Sequence, residues 1–221
     1  MDDHALPAWF DAADSAVVAL QRGDPTWVFH EGREGPREWV HGEARLVWAA
    51  RLVGDAGHSH DSDDSGGGGV RLDALLLTAV RAAHIGRYRS PRAAAAAGRA
   101  GYLRWRRDLY ATQGATIRRI LADSGAPEEV CTRAELLVSK QLLGSDPDAG
   151  LIEDTLALVF FQFDASDLAR RLDLPRTQRA VERTCLKMTP AGRALLARAA
   201  RGGEFDPAVE ALLSQIRGEL A

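Results

Sequence analysis

The sequence predicts an all-α fold, a single-domain helical bundle of about nine helices across residues 1–221, and three observations carry that prediction. Apolar residues recur at three- and four-residue spacing through most of the chain, the period that gathers them on one face of a helix. Alternating β-branched runs, the mark of half-buried strands, are scarce. Start and stop residues for helices, proline and N-capping side chains at one end and glycine at the other, punctuate the periodic segments.

Taken in order, the first helix is expected from Trp9 to Gln21, followed by a loop of Gly, Asp, Pro and Glu. The second runs from Pro36 to Val53, with its proline in the first turn, where the missing N–H costs little. Residues 54–70, which include GHSHDSDDSGGGG, have almost no apolar content and maximal backbone freedom, so a flexible insertion is expected there. His58, His60, Asp61, Asp63 and Asp64 in that stretch have no preorganised geometry for a metal and are expected to be solvated. Helix three is expected from Arg71 to about Gly86. After the loop YRSPRAAAAAG, helix four runs from about Arg99 to Ser124, stopped by Gly125 and Pro127. Helix five spans Pro127 to Lys140. Helix six spans Ala149 to Leu172, with Glu153 and Asp154 in its first turn at the positive end of the helix dipole. Two or three shorter helices close the chain, announced by the cap pairs Thr189-Pro190 and Asp206-Pro207.

A chain of 221 residues buries a substantial core without disulfides or metals. No apolar run approaches the roughly 18–20 residues that span a bilayer, so no membrane partner is expected. The acidic N-terminus, with Asp2, Asp3 and Asp11, lacks the basic and apolar regions of a secretion signal, and a cytoplasmic location is expected. Cys131 and Cys185 lie among apolar neighbours without metal-ligand spacing and are expected as buried free thiols. The net charge of −3 argues against a protein that coats nucleic acid through its overall field.

Polar residues interrupt four apolar stripes. His41 shares a face with Ala44, Trp48 and Leu52; His84 follows Leu77 and Val80; Gln113 lines up with Tyr102, Leu109, Ile117 and Ile120; and Asp154 lines up with Leu151, Leu158 and Phe161. A buried polar group needs a partner, and four such groups from four helices are how bundles build metal or catalytic sites. Two imidazoles and a carboxylate, His41, His84 and Asp154, suit one divalent ion of Fe, Mn, Zn or Co, with Asp154 and Gln113 as the candidate catalytic pair. The alternative is separate satisfaction: His84 by the dipole at a helix end, Asp154 as a first-turn acid, and Gln113 by a neighbouring carbonyl.

Between Arg81 and Arg107 stand eight arginines and no acid, interleaved with Tyr88, Tyr102 and Trp105. Guanidinium forks among aromatic rings suit a phosphate or carboxylate. Arg87, Arg92, Arg99, Tyr102, Trp105 and Arg106 are therefore the candidate binding residues, with Lys140 beside them, whereas Arg104 and Arg107 are expected on the surface paired with distant acids.

The segments AAHIGRYRSPR, GRAGYLRWRRDL, SKQLLGSDPD, IEDTLALVFF and KMTPAGR resemble, in order and spacing, the domain-of-unknown-function 4202 family. The resemblance runs from about Trp9 to Arg193, and the block from His84 to Leu109 is its most specific part. It implies characteristic roles for His84, Arg87, Pro91, Arg92, Gly101, Tyr102, Trp105, Arg106, Lys140, Glu153, Asp154, Lys187 and Met188, and a His-Ala pair where this chain has Gln113-Gly114. The order of inward residues is also similar to the HD superfamily of metal-dependent phosphohydrolases, with Ile85 in place of that superfamily's paired aspartate. Two functions are expected from this: metal-dependent hydrolysis of a phosphate-bearing or other anionic small molecule, or non-catalytic binding of an anionic metabolite or RNA through the Arg and aromatic pocket.

Overall fold

A computed structural model describes residues 5–30, 33–58, 70–92 and 96–215. Most of the expected insertion, including His60, Asp61, Asp63 and Asp64, lies outside the described residues. The chain is all-α, as the periodicity predicts: the described residues form ten α-helices and one two-stranded hairpin. They fall into two compact units, one from Met1–Leu46 and Arg71–Ala149, the other from Val47–Val70 and Gly150–Ala221.

The first unit opens with α1 (Phe10–Gln21) and continues into β1 (Trp27–His30) and β2 (Arg33–Pro36), paired antiparallel with Trp27 opposite Pro36 and Phe29 opposite Glu34. A loop was expected here. The run Trp27, Val28, Phe29 alternates faces as a strand does, but over too few residues for the period to stand out. Asp24 fastens the hairpin at its base, accepting from the Thr26 N–H through Oδ1 at 2.9 Å and from the Glu38 N–H through Oδ2 at 3.1 Å.

Helix α2 (Arg37–His58) is longer than expected, carrying through Gly54 into the predicted insertion. Helix α3 (Ala74–Ala82) is shorter, starting at Asp73, whose carboxylate accepts from the Leu76 N–H at 2.8 Å. Its last carbonyls are satisfied from outside the helix. Arg45 donates to Val80 O at 3.0 Å and to Arg81 O at 2.8 Å, and Gln21 donates to Arg81 O at 2.7 Å. The chain then turns, with His84 and Gly86 both at φ 66°. Thus His84 sits beyond the helix and not on its face.

The 26-residue α4 (Gly98–Asp123) packs against α5 (Glu128–Val138). The helices meet at Gly114, where a Cβ would stand 2.9 Å from Ser139 Cβ and 3.0 Å from Glu135 O. Arg118, bonded to Thr132 and Glu135 and paired with Glu128, ties the pair along its exposed edge. Arg133 pairs with Asp146 and Asp148 and anchors the turn into α6 (Pro147–Val159).

In the second unit the long sixth helix is interrupted. Helix α6 passes through a π-helical segment, Phe160–Asp164, into α7 (Ala165–Arg171), so the three together make the single rod expected and bring the α-helical rods among the described residues to nine. Gln162 in the π segment accepts from Trp48 Nε1 at 2.8 Å, and Trp48 stacks on Phe205 at 6.0 Å between centroids. Helices α8 (Leu174–Cys185), α9 (Pro190–Arg201) and α10 (Pro207–Gln215) follow. Thr189 caps α9 by accepting from the Gly192 N–H at 3.1 Å, and Asp206 accepts from the Ala208 N–H at 2.9 Å, as the two cap pairs predict. Cys131 and Cys185 are both buried, and neither is in a disulfide. Among the described residues no helix is long and apolar enough to cross a membrane.

Candidate functional site

Helix α4 carries Tyr102, Arg106 and Tyr110 at four-residue spacing, which stacks them on one face. Arg106 donates from Nε to the Tyr110 hydroxyl at 3.0 Å and lies 5.3 Å from that ring's centroid, one turn along the helix from Tyr102. Two further cations cover the outer rings: Arg92 lies 4.9 Å from the Tyr102 ring and Lys140 Nζ lies 5.4 Å from the Tyr110 ring. Cations and rings therefore alternate in the order Arg92, Tyr102, Arg106, Tyr110, Lys140. Among the described residues no carboxylate lies within ion-pair distance of Arg87, Arg92, Arg99, Arg104 or Arg106.

The ladder continues sideways into Trp105, whose ring lies 5.7 Å from that of Tyr102 and whose Nε1 donates to Ser90 Oγ at 3.1 Å. Beside Trp105 opens a cavity of about 370 Å³, lined among others by Ser90, Gly101, Arg104, Asp108 and Thr112. At Gly101 the backbone runs so close to the Ala96 carbonyl that no side chain fits.

The turn after α3 is held from below by Glu38. Its Oε2 accepts from the Gly86 N–H at 2.8 Å and its Oε1 from the Tyr88 N–H at 2.9 Å. Burial pushes the Glu38 carboxyl up against those two hydrogen bonds. The Tyr88 hydroxyl donates to Leu20 O at 3.2 Å. Arg87 is thereby presented on an anchored turn, exposed beside His84.

His84 and Lys140 are the two non-glycine residues with positive φ among the described residues, at 66° and 62°. Each such conformation costs about 1–2 kcal/mol for an L-residue and persists only where its surroundings enforce it. The two residues also share a field. Burial, followed by the charges of Lys140, Arg87, Arg45 and His41, holds the His84 imidazole well below its ordinary pKa. At neutral pH it is an uncharged ring offering one donor and one acceptor. Buried Arg45, its pKa lowered to about 10 by burial, adds a fixed positive charge behind the turn.

Of the residues expected to form a metal site, His41, His84 and Gln113 belong to the first unit and Asp154 to the second. Among the described residues no group of three or more His, Cys, Asp and Glu side chains is gathered to hold a metal ion. Asp154 is committed elsewhere. Its Oδ1 accepts from the Thr189 N–H at 2.8 Å and its Oδ2 from the Thr189 hydroxyl at 2.5 Å, with Gly192 packed directly against the carboxylate. Burial pushes it up to about 6 against those bonds. Gln113 is 1% exposed, and among the described residues neither polar atom of its amide has a hydrogen-bond partner.

The binding residues fare differently. Arg92, Tyr102, Trp105, Arg106 and Lys140 are brought together, while Arg99 is exposed in the first turn of α4 outside the ladder. Arg107 lies on the surface but pairs with its neighbour Asp108 and not with a distant acid, and Arg104, with no acid within ion-pair distance among the described residues, lines the cavity instead. Arg81 serves the fold, ion-paired with Asp14 and Glu43. Tyr110, Glu38 and Arg104 are the members that sequence reasoning misses. Tyr110 had a signal in its spacing from Arg106, whereas Glu38 lies 48 residues from Gly86 and had none.

A family model described as a domain of unknown function, DUF4202, matches residues 11–212. No curated protein and no solved structure matches the chain.

Proposed function

The chain belongs to the DUF4202 family, and we propose that this member binds a phosphate-bearing small molecule on the cationic face of α4 in its first unit. The alternation of Arg92, Tyr102, Arg106, Tyr110 and Lys140 carries the reading. Ring faces orient the cations without neutralising them, and arginines lacking a carboxylate partner keep their forks for an outside anion. The positive φ of His84 and Lys140 supports the reading from a second direction, because backbones of this kind cluster at binding sites. Arg87 and the neutral His84 imidazole add a charge and a hydrogen-bonding pair at the edge of that face.

A small molecule is favoured over RNA because the net charge of the chain is −3 and the cationic face is only a few side chains wide. Metal-assisted hydrolysis is not carried into this reading. The residues present do not fit a metal: both oxygens of Asp154 serve Thr189, and no three-ligand group is gathered among the described residues.

Calorimetric titration with inorganic phosphate and pyrophosphate tests the site. Pyrophosphate should bind with an affinity that weakens as salt is raised. Arg106→Gln and Lys140→Gln should each weaken it by about tenfold, the effect of losing one charge-assisted hydrogen bond. Undiminished affinity in both variants, or no binding by the wild-type chain, overturns the proposal.

A further inference from the structure

We propose that the cavity beside Trp105 takes the flat ring of a free nucleotide, an inference that rests on the anion-binding reading and names the ligand class for it. The cavity, about 370 Å³, falls within the range of roughly 300–1,000 Å³ typical of small-molecule sites. Its aromatic wall is set in advance. The Trp105 ring is fixed on one edge by its hydrogen bond to Ser90 and backed by Tyr102, so a ligand ring stacking on it need not order it first.

The polar groups are disposed for the rest of such a ligand. Arg104 lines the cavity without an acid partner, and Arg92 lies on the far ring of the Trp105–Tyr102 pair, so cations flank the aromatic wall where a phosphate attached to a stacked base would emerge. One helical turn beyond Arg104 stands Asp108. Arg107 donates to its Oδ1 from two guanidinium nitrogens, each at 3.1 Å, which offsets the charge and leaves Oδ2 as an acceptor for a donor such as a base amino group. A ring, a phosphate and an N–H donor on one compact molecule describe a nucleotide. A strand of RNA presents the same chemistry, but a single cavity of about 370 Å³ is a small-molecule site, and the free nucleotide is the form inferred.

The test compares adenosine monophosphate with ribose 5-phosphate, which keeps the phosphate and sugar and lacks the base, by calorimetry on the full chain. Adenosine monophosphate should bind at least tenfold more tightly. Trp105→Leu should erase that preference, so that adenosine monophosphate and ribose 5-phosphate bind the variant equally, and Trp105→Phe should retain most of the preference. Both variants lose the bond to Ser90, so a difference between them reports the ring and not the loop; circular dichroism melts establish that each is folded. Equal affinity for the two ligands in the wild type, or a preference that survives Trp105→Leu, overturns the ring site and leaves the anion site standing. Failure of ribose 5-phosphate to bind at all removes the anion site itself. A six-residue oligoadenylate binding more than tenfold more tightly than the mononucleotide overturns the free-nucleotide form.

Discussion

Gln113 illustrates what a single residue discloses and conceals. Its place among Leu109, Ile117 and Ile120 shows from spacing alone that it faces inward, and it is 1% exposed. Spacing says nothing about its partners, and among the described residues its amide has none. A buried amide left unsatisfied costs about 1–3 kcal/mol, and methionine fills nearly the same volume without the polar atoms. Gln113→Met is therefore expected to raise stability by about 1–3 kcal/mol, seen as a higher urea midpoint with an unchanged slope. A lower midpoint would mean that the amide has an ordered water as its partner. Asp154 gives the converse lesson. Its inward direction was legible, but its role was not, because the Thr189 that occupies both its oxygens lies 35 residues downstream.

At the level of elements, the existence of the helices was written in apolar period and cap residues, whereas several helix ends were not. Helix α3 ends before His84 because Arg45 and Gln21, from elements distant in sequence, satisfy its last carbonyls. The two left-handed residues that follow then build the turn that carries Arg87, and only Gly86 signalled it. The element depends on Glu38 to hold it. In Glu38→Gln one backbone N–H keeps an acceptor and the other faces an NH₂ group, so one buried bond is lost at a cost of about 1–3 kcal/mol. Hydrogen exchange should locate the effect: the Gly86 and Tyr88 amides should lose protection while Ile117 in α4 keeps it. Protection lost equally at all three would assign Glu38 to the general stability of the unit and not to the turn. Because Arg87 rides on that turn, phosphate affinity should fall in the same variant.

For the molecule as a whole, the all-α class was legible because every long segment repeats one period, while the hairpin at Trp27–Pro36 was too short to announce itself. Composition also hides the pH response, because it depends on which carboxyls are buried. Asp14, Glu38 and Asp154 are all raised by burial, Asp154 to about 6 from 3.8. As pH rises, the unfolded chain releases the Asp154 proton near 3.8 while the folded chain keeps it to about 6, so the stability this group contributes is complete below the lower value and lost by the upper. A separation of about two pKa units corresponds to about 3 kcal/mol. Asp146 and Glu204, lowered by Arg133 and Arg51, act in the opposite sense and at lower pH, where they cost stability as acid protonates them. Unfolding free energy should therefore decline between about pH 4 and pH 6. Asp154→Asn keeps a carbonyl for the Thr189 N–H and has no proton to release, so urea titrations of this variant across that interval should show a decline shallower by about 3 kcal/mol. A decline as steep as in the wild type would place the response in Asp14 and Glu38 and return Asp154 to the ordinary carboxylate range.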